Sequence, residues 1–166
     1  MAGKKSIDIK ASFIAVSVVI LFFALVMIFA YENQQPKVML PLDSTFNATT
    51  IFITHGNTTT KYGAYLALTQ SQQQQGYMNQ SSLGDCKGIN PCIGMLFVFN
   101  NSYNLCFWMK NTELPLTQAW VAQNGTITYV AQAQPYSTNS ICAAGSMVLE
   151  TSNNQALSVG DKIKIS

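Results

Sequence analysis

The residues from Ala11 to Ala30 form a run of twenty without a charge, in which only Ser12 and Ser17 interrupt the apolar side chains. At about 1.5 Å rise per residue, a helix of that length spans roughly 30 Å, the thickness of a hydrocarbon core. Tyr31 follows where an amphipathic ring suits the membrane interface. Beyond it the pattern changes to short apolar runs separated by Asn, Gln, Ser, Thr and Gly. Such runs predict strands. Thr49–Thr54 and Tyr62–Leu68 are the first two, with Gly56-Asn57 between them. Gly94–Phe99 is almost continuously apolar, as a central strand would be. Leu105, Phe107 and Met109 alternate with Cys106, Trp108 and Lys110, and the first set is expected to face the core. Gln118–Ala122 and Thr126–Ala131 flank Asn124-Gly125, a strong hairpin signal because both turn positions need positive φ. Met147–Glu150 and Asp161–Ile165 complete the set. Thr69–Gly76 is expected to be helical, its Ser71–Gln75 run forming an exposed face. Thr151–Leu157 is the other segment whose composition allows a helix.

These elements predict a β-rich (α+β) chain: a compact antiparallel, barrel-like sheet with one or two short helices, plus one N-terminal transmembrane helix. Four segments are expected: a cytoplasmic tail (1–10), a transmembrane anchor (11–31), a tether (32–48) containing Pro36 and Pro41, and an exported domain (49–166). The apolar run exceeds the roughly 7–15 residues of a signal-peptide core, which favours a retained anchor over a cleaved signal.

Charge sets the orientation. Lys4, Lys5 and Lys10 precede the apolar run against a single Asp8, so the positive-inside rule leaves the N-terminus cytoplasmic and the C-terminal domain outside the cell membrane. From Glu32 onward six lysines meet six acidic residues. The exported part is therefore neutral, and its largely uncharged polar surface suits an acidic exterior. Charged residues make up only 10% of the chain and Arg is absent. A nucleic-acid partner, which needs a basic field, is excluded on that ground.

Five Asn-x-Ser/Thr sequons, at Asn47, Asn57, Asn79, Asn100 and Asn124, are glycosylation candidates that fit export. The four cysteines are disulfide candidates with three possible connectivities. The sequentially local one joins Cys86 to Cys92 and Cys106 to Cys142. The chain-entropy relation gives roughly 2–2.5 kcal/mol for the small loop and about 4 kcal/mol for the large one. Zinc would need closely spaced Cys pairs, and redox catalysis a C-x-x-C motif; the sequence has neither. No metal or cofactor is expected.

Catalytic patterns are also missing. His55 is the single histidine, in an expected turn beside Gly56. G-x-S-x-G, phosphate-binding glycine loops and H-E-x-x-H do not occur. The exported carboxylates are each isolated in sequence.

From Gly76 onward the chain resembles the domain-of-unknown-function 192 family. Gly76-Tyr77-Met78 looks like its Gly-Leu-Met element, and Gly94-Met95-Leu96-Phe97-Val98-Phe99 looks like its apolar strand. Phe107-Trp108-Met109-Lys110-Asn111-Thr112 followed by Pro115-Leu116 looks like its signature. Asn124-Gly125-Thr126-Ile127, Gln134-Pro135-Tyr136-Ser137, Val148-Leu149-Glu150 and Gly160-Asp161 follow in order. The resemblance covers about 90 residues firmly and implies a compact β-rich domain, often exported behind a signal or anchor, with no established reaction. This chain departs from the family pattern at Gln80, where an Arg is common, at Thr117, where an Asp is common, and after Glu150, where a Gly is usual.

Trp108, Lys110 and Asn111 are the leading ligand-binding candidates. A Trp beside an amine and an amide can stack on a sugar ring and hydrogen-bond its hydroxyls. Tyr136 could line the same face. Glu150 either anchors a buried network with Lys110 or ends a strand in solvent. Two function classes follow. The first is a non-enzymatic, membrane-anchored, envelope-associated module that binds a glycan, a peptide or a membrane-protein partner. The alternative is an envelope hydrolase or carbohydrate-processing enzyme using Glu150 or Asp161 with Lys110, which requires those side chains to converge in one pocket.

Overall fold

The computed structural model describes residues 20–28 and 41–166, and the chain divides into two compact units, Met1–Val38 and Met39–Ser166. In the first unit, residues 20–28 form helix α1. Its large apolar side chains, from Ile20 to Ile28, are all exposed. Among the described residues no helix is long and apolar enough to cross a membrane. The tail expected over 1–10 lies outside the described residues, as do most of the expected anchor (11–31) and residues 32–40 of the expected tether.

The second unit is β-rich. A short helix α2 (Leu42–Thr45) leads into β1 (Asn47–His55) and β2 (Thr58–Ala67). Leu42 and Phe46, within the segment expected to be a tether, are buried in the core. Helix α3 (Gln70–Gln75) and a 3₁₀ turn (Cys86–Gly88) precede β3 (Cys92–Phe107). Strands β4 (Leu116–Val121), β5 (Ile127–Ala133), β6 (Ile141–Ser152) and β7 (Lys162–Ile165) follow. All seven strands form one sheet in the order β5-β4-β6-β3-β2-β1-β7.

The hairpins fall where the turn residues placed them. His55 pairs with Thr58 across Gly56-Asn57, and β4 pairs with β5 across Asn124-Gly125. The expectation of a wholly antiparallel sheet is corrected at one place: β2 and β3 run parallel. A parallel neighbour needs a crossover rather than a hairpin, and residues 68–91, with α3 and the 3₁₀ turn, supply it. The helix allowed over Thr151–Leu157 does not form. Thr151 and Ser152 instead extend β6, because they pair with Gly94 of β3 and Leu116 of β4 respectively.

The two edge strands meet at one end. Thr126 bridges Lys162, Ile163 N donates to Gly125 O at 2.7 Å, and Ile127 N donates to Asp161 O at 2.8 Å. The sheet is therefore a half-barrel. Gly125 serves this junction twice. Its φ is +83°, and the Ile163 carbonyl lies where a Cβ would stand, so a side chain there would push β7 away.

Each face of the sheet has its own core. One cluster takes residues from all seven strands, including Ile51, Leu96, Val121, Ile127, Leu149 and Ile163, and fills the inside of the curl. The other, built around Tyr65, Met95, Phe97, Trp120 and Val148, is covered by Phe46, Tyr77, Cys86 and Met109 from outside the sheet. Successive residues of β3, Met95, Leu96 and Phe97, alternate between the two clusters. Burial on both faces explains why that segment reads as continuously apolar.

Candidate ligand-binding cleft

The β3 strand outruns its partner β2. Its last quarter, Asn104–Phe107, has β6 on one side and α3 near its face, and a cleft of about 520 Å³ opens between them. Phe99, Leu105, Phe107 and Trp108 supply its apolar wall, and Gln70, Gln73 and Gln74 of α3 supply its polar rim. The lining contains no charged residue.

Helix α3 is short, so it is held by specific bonds rather than by propensity. Thr69 and Gln72 form a reciprocal capping box, which satisfies donors at the helix start. Gln72 Nε2 donates to Thr45 O at 2.8 Å, and Gln73 Nε2 donates to Val98 O at 2.9 Å. The glutamine run is thus not only an exposed face: one of its amides docks the helix on α2 and another on β3.

The aromatic wall is braced from behind. Phe107 meets Phe97 edge-to-face at 4.9 Å and Trp120 edge-to-face at 6.1 Å. Trp120 is fully buried and donates from Nε1 to Leu105 O at 2.9 Å. Trp108 is 46% exposed whereas Leu105 and Met109 are buried, as alternation predicts. Lys110 Nζ lies 5.3 Å from its ring centroid, a cation–π contact at the surface.

The turn after β3 is fixed by its backbone. Asn111 has φ +57°, a left-handed conformation that Asn tolerates better than most residues. Asn111 O accepts from Asn79 N at 2.7 Å, and Met109 N donates to Ser137 O at 2.8 Å. Asn111 therefore works through its main chain. Tyr136, also left-handed at φ +60°, is 61% exposed. Its hydroxyl donates to Glu113 Oε2 at 3.4 Å, and it does not line the cleft.

A narrow slot of about 30 Å³ continues inward, sharing Gln73, Gln74, Met78, Phe107 and Trp108 with the cleft and reaching Tyr77, Thr112 and Glu150. Glu150 is 4% exposed. The expected alternatives for it, a network with Lys110 or a solvated strand end, are both corrected: its Oε1 accepts from Gln118 Nε2 at 2.9 Å, and Lys110 stacks on Trp108 instead. Glu150 and Gln118 stand opposite each other on β6 and β4, so the sheet register makes the couple. Burial pushes the Glu150 carboxyl up to about 7 from an ordinary 4.5, opposed by the Gln118 hydrogen bond. Desolvation first, and then the nearby Glu150 charge, raise the Tyr77 phenol. Gln118 Oε1 is buried and has no hydrogen-bond partner among the described residues.

Of the candidate residues, the structure brings Trp108 and Glu150 to one slot and leaves Lys110 and Tyr136 at the surface. Asp161 is elsewhere. Its Oδ1 lies 2.7 Å from His55 Nδ1, and its Oδ2 accepts from Ser158 N at 2.8 Å, tying the β1 and β7 ends. Glu150, Asp161 and Lys110 therefore do not converge. Sequence reasoning missed Gln118, Tyr77, Met78 and Phe99. The signals available were the family motifs that contain Tyr77, Met78 and Phe99, and Gln118 as a polar amide inside the run Leu116–Val121.

The cysteines pair locally, Cys86 with Cys92 and Cys106 with Cys142. Cys106 and Cys142 are opposite residues of β3 and β6, and Cys106 lines the cleft. Among the sequons, Asn47, Asn57, Asn100 and Asn124 are exposed, whereas Asn79 is half-buried with its Oδ1 shut from solvent.

Two solved bacterial structures share this architecture. A Sinorhizobium meliloti protein described as a candidate transcription regulator is 28% identical, with a TM-score of 0.64, over 72% of this chain and 95% of its own. A protein of unknown function from Novosphingobium aromaticivorans is 28% identical, with a TM-score of 0.61, over 70% of this chain and 84% of its own. No curated protein matches the chain. Residues 50–165 match the family described as "Uncharacterized ACR", so the chain belongs to the domain-of-unknown-function 192 family.

Proposed function

We propose that this protein is a non-enzymatic binding module, anchored in the cell membrane through residues 11–31, with its N-terminus cytoplasmic and its β-rich domain outside, and that it holds a glycan in the cleft beside α3. One observation carries the reading: an exposed Trp108 on a braced apolar wall faces a rim of uncharged glutamine amides. A sugar ring has apolar C–H faces that stack on indole and hydroxyls that pair with amides. The absence of charge along the cleft lining favours a neutral polyol surface over an anionic ligand. The lysines ahead of the apolar run and the exposed apolar helix α1 support the anchor. The exposed sequons at Asn47, Asn57, Asn100 and Asn124 and the two disulfides support an exterior location.

The test is binding of the full chain, in detergent micelles, to envelope-derived and synthetic oligosaccharides, with Trp108→Ala alongside. Loss of one stacked ring predicts at least about a tenfold weaker Kd. Equal binding by both proteins would remove the cleft from the proposal. Protease protection of the C-terminal domain in sealed inside-out vesicles, and its digestion in intact cells, tests the orientation.

A further inference from the structure

We propose that the slot below Trp108 is a subsite for a primary ammonium group, so that the glycan held in the cleft is an amino sugar with a free amine. This rests on the glycan reading above and specifies the ligand within it. The slot ends on a carboxyl, Glu150, whose hydrogen-bonding neighbour is an amide, Gln118. No positively charged residue lines the slot. The slot therefore offers a buried carboxyl with no cation to pair with it. Its other walls mix the rings of Phe97, Phe107 and Trp108 with the neutral polar side chains of Gln73, Gln75 and Thr112, and both aromatic rings and uncharged acceptors suit an ammonium group. The volume of about 30 Å³ admits a group of the size of one or two waters. That suits an amine borne directly on a ring, whereas acetylation removes the charge that pairs with Glu150.

The pH dependence follows from the groups around Glu150. Gln118 on β4 and Met95 on β3 are its register partners and do not titrate in the working range. Tyr77 is the titratable group coupled to it, and burial keeps that phenol protonated. Lys110, whose Nζ lies 5.3 Å from the Trp108 ring centroid, does not line the slot. Burial raises the free Glu150 carboxyl to about 7. Below that pH an arriving ammonium must displace its proton: the carboxyl O–H breaks, the proton leaves to solvent, and the carboxylate accepts from the ammonium. Amine affinity then falls by up to about tenfold for each pH unit below 7.

Titration calorimetry on the full chain, with a glucosamine trimer and its N-acetylated counterpart as probes, tests the subsite at pH 6 and pH 8. Each titration is run in two buffers of different ionisation enthalpy to count released protons. The expected result is a preference for the free amine of at least about tenfold, with close to one proton released at pH 6, where Glu150 must give up its proton, and protons taken up at pH 8, where the sugar amine is largely neutral and must gain one. These should vanish in Glu150→Gln, which keeps an acceptor for Gln118, while binding of the acetylated trimer persists. Equal binding of both probes, or a preference retained by Glu150→Gln, would overturn the subsite and leave the glycan cleft standing. Binding of neither probe, with the protein folded by circular dichroism, would overturn both readings.

Discussion

Replacing Glu150 by Gln should change how the stability of this protein depends on pH, in a direction opposite to ordinary acid denaturation. The carboxyl is buried, and its value in the folded protein is about 7 against an ordinary 4.5. The folded chain thus holds this proton more tightly than the unfolded chain through that window. The associated stability is fully present below about pH 4.5, declines as pH rises, and is gone above about pH 7. The gap corresponds to about 3 kcal/mol, an order-of-magnitude figure. Gln is isosteric, carries no charge, and still accepts from Gln118 Nε2. Relative to wild type, Glu150→Gln should therefore be more stable at pH 8 than at pH 4.5 by about 3 kcal/mol. Urea unfolding of both proteins in detergent micelles, followed by the fluorescence of the fully buried Trp120, reports the difference. Other titrating groups are common to both proteins and cancel. Parallel stability profiles, differing by a constant from pH 4.5 to 8, would refute the buried-carboxyl argument.

Three further outcomes follow from the packing. Replacing both Cys106 and Cys142 by Ser should cost about 4 kcal/mol and replacing Cys86 and Cys92 about 2 kcal/mol, in line with loop separations of 36 and 6 residues; denaturant midpoints check the ranking, which would fail if the small loop mattered more. Gly94→Ala sets a Cβ against the Glu150 carbonyl of β6, so the central β3–β6 ladder must part, at a cost of more than about 3 kcal/mol; a midpoint near wild type would show that the ladder is not so close. Thr69→Ala removes the side-chain half of the α3 capping box at about 1 kcal/mol, and hydrogen exchange should rise in α3 well before it rises in β3.

The sequence by itself determined the local elements, because those depend on neighbours within a few residues. Alternation placed Leu105 and Met109 inward and Trp108 outward, as observed. Asn124-Gly125 marked the place of the β4–β5 hairpin, although Gly125 alone of the two takes the positive φ expected of both. Thr69 and Gln72, at capping-box spacing, set the start of α3. The ordered FWMKNT series carried the family. Tertiary structure alone decided what depends on register and closure. The Gln118–Glu150 couple spans 32 residues and the His55–Asp161 pair spans 106; nothing in the local pattern of either segment encodes its partner. The parallel placement of β3 beside β2 was hidden for the same reason, since an apolar run of β3's kind suits either direction. Glu150 shows the difference most clearly. In sequence it is the polar end of an apolar run. Only the strands on both sides of β6, and the segment carrying Tyr77 above it, remove its water and turn an ordinary carboxylate into a group that titrates near neutrality.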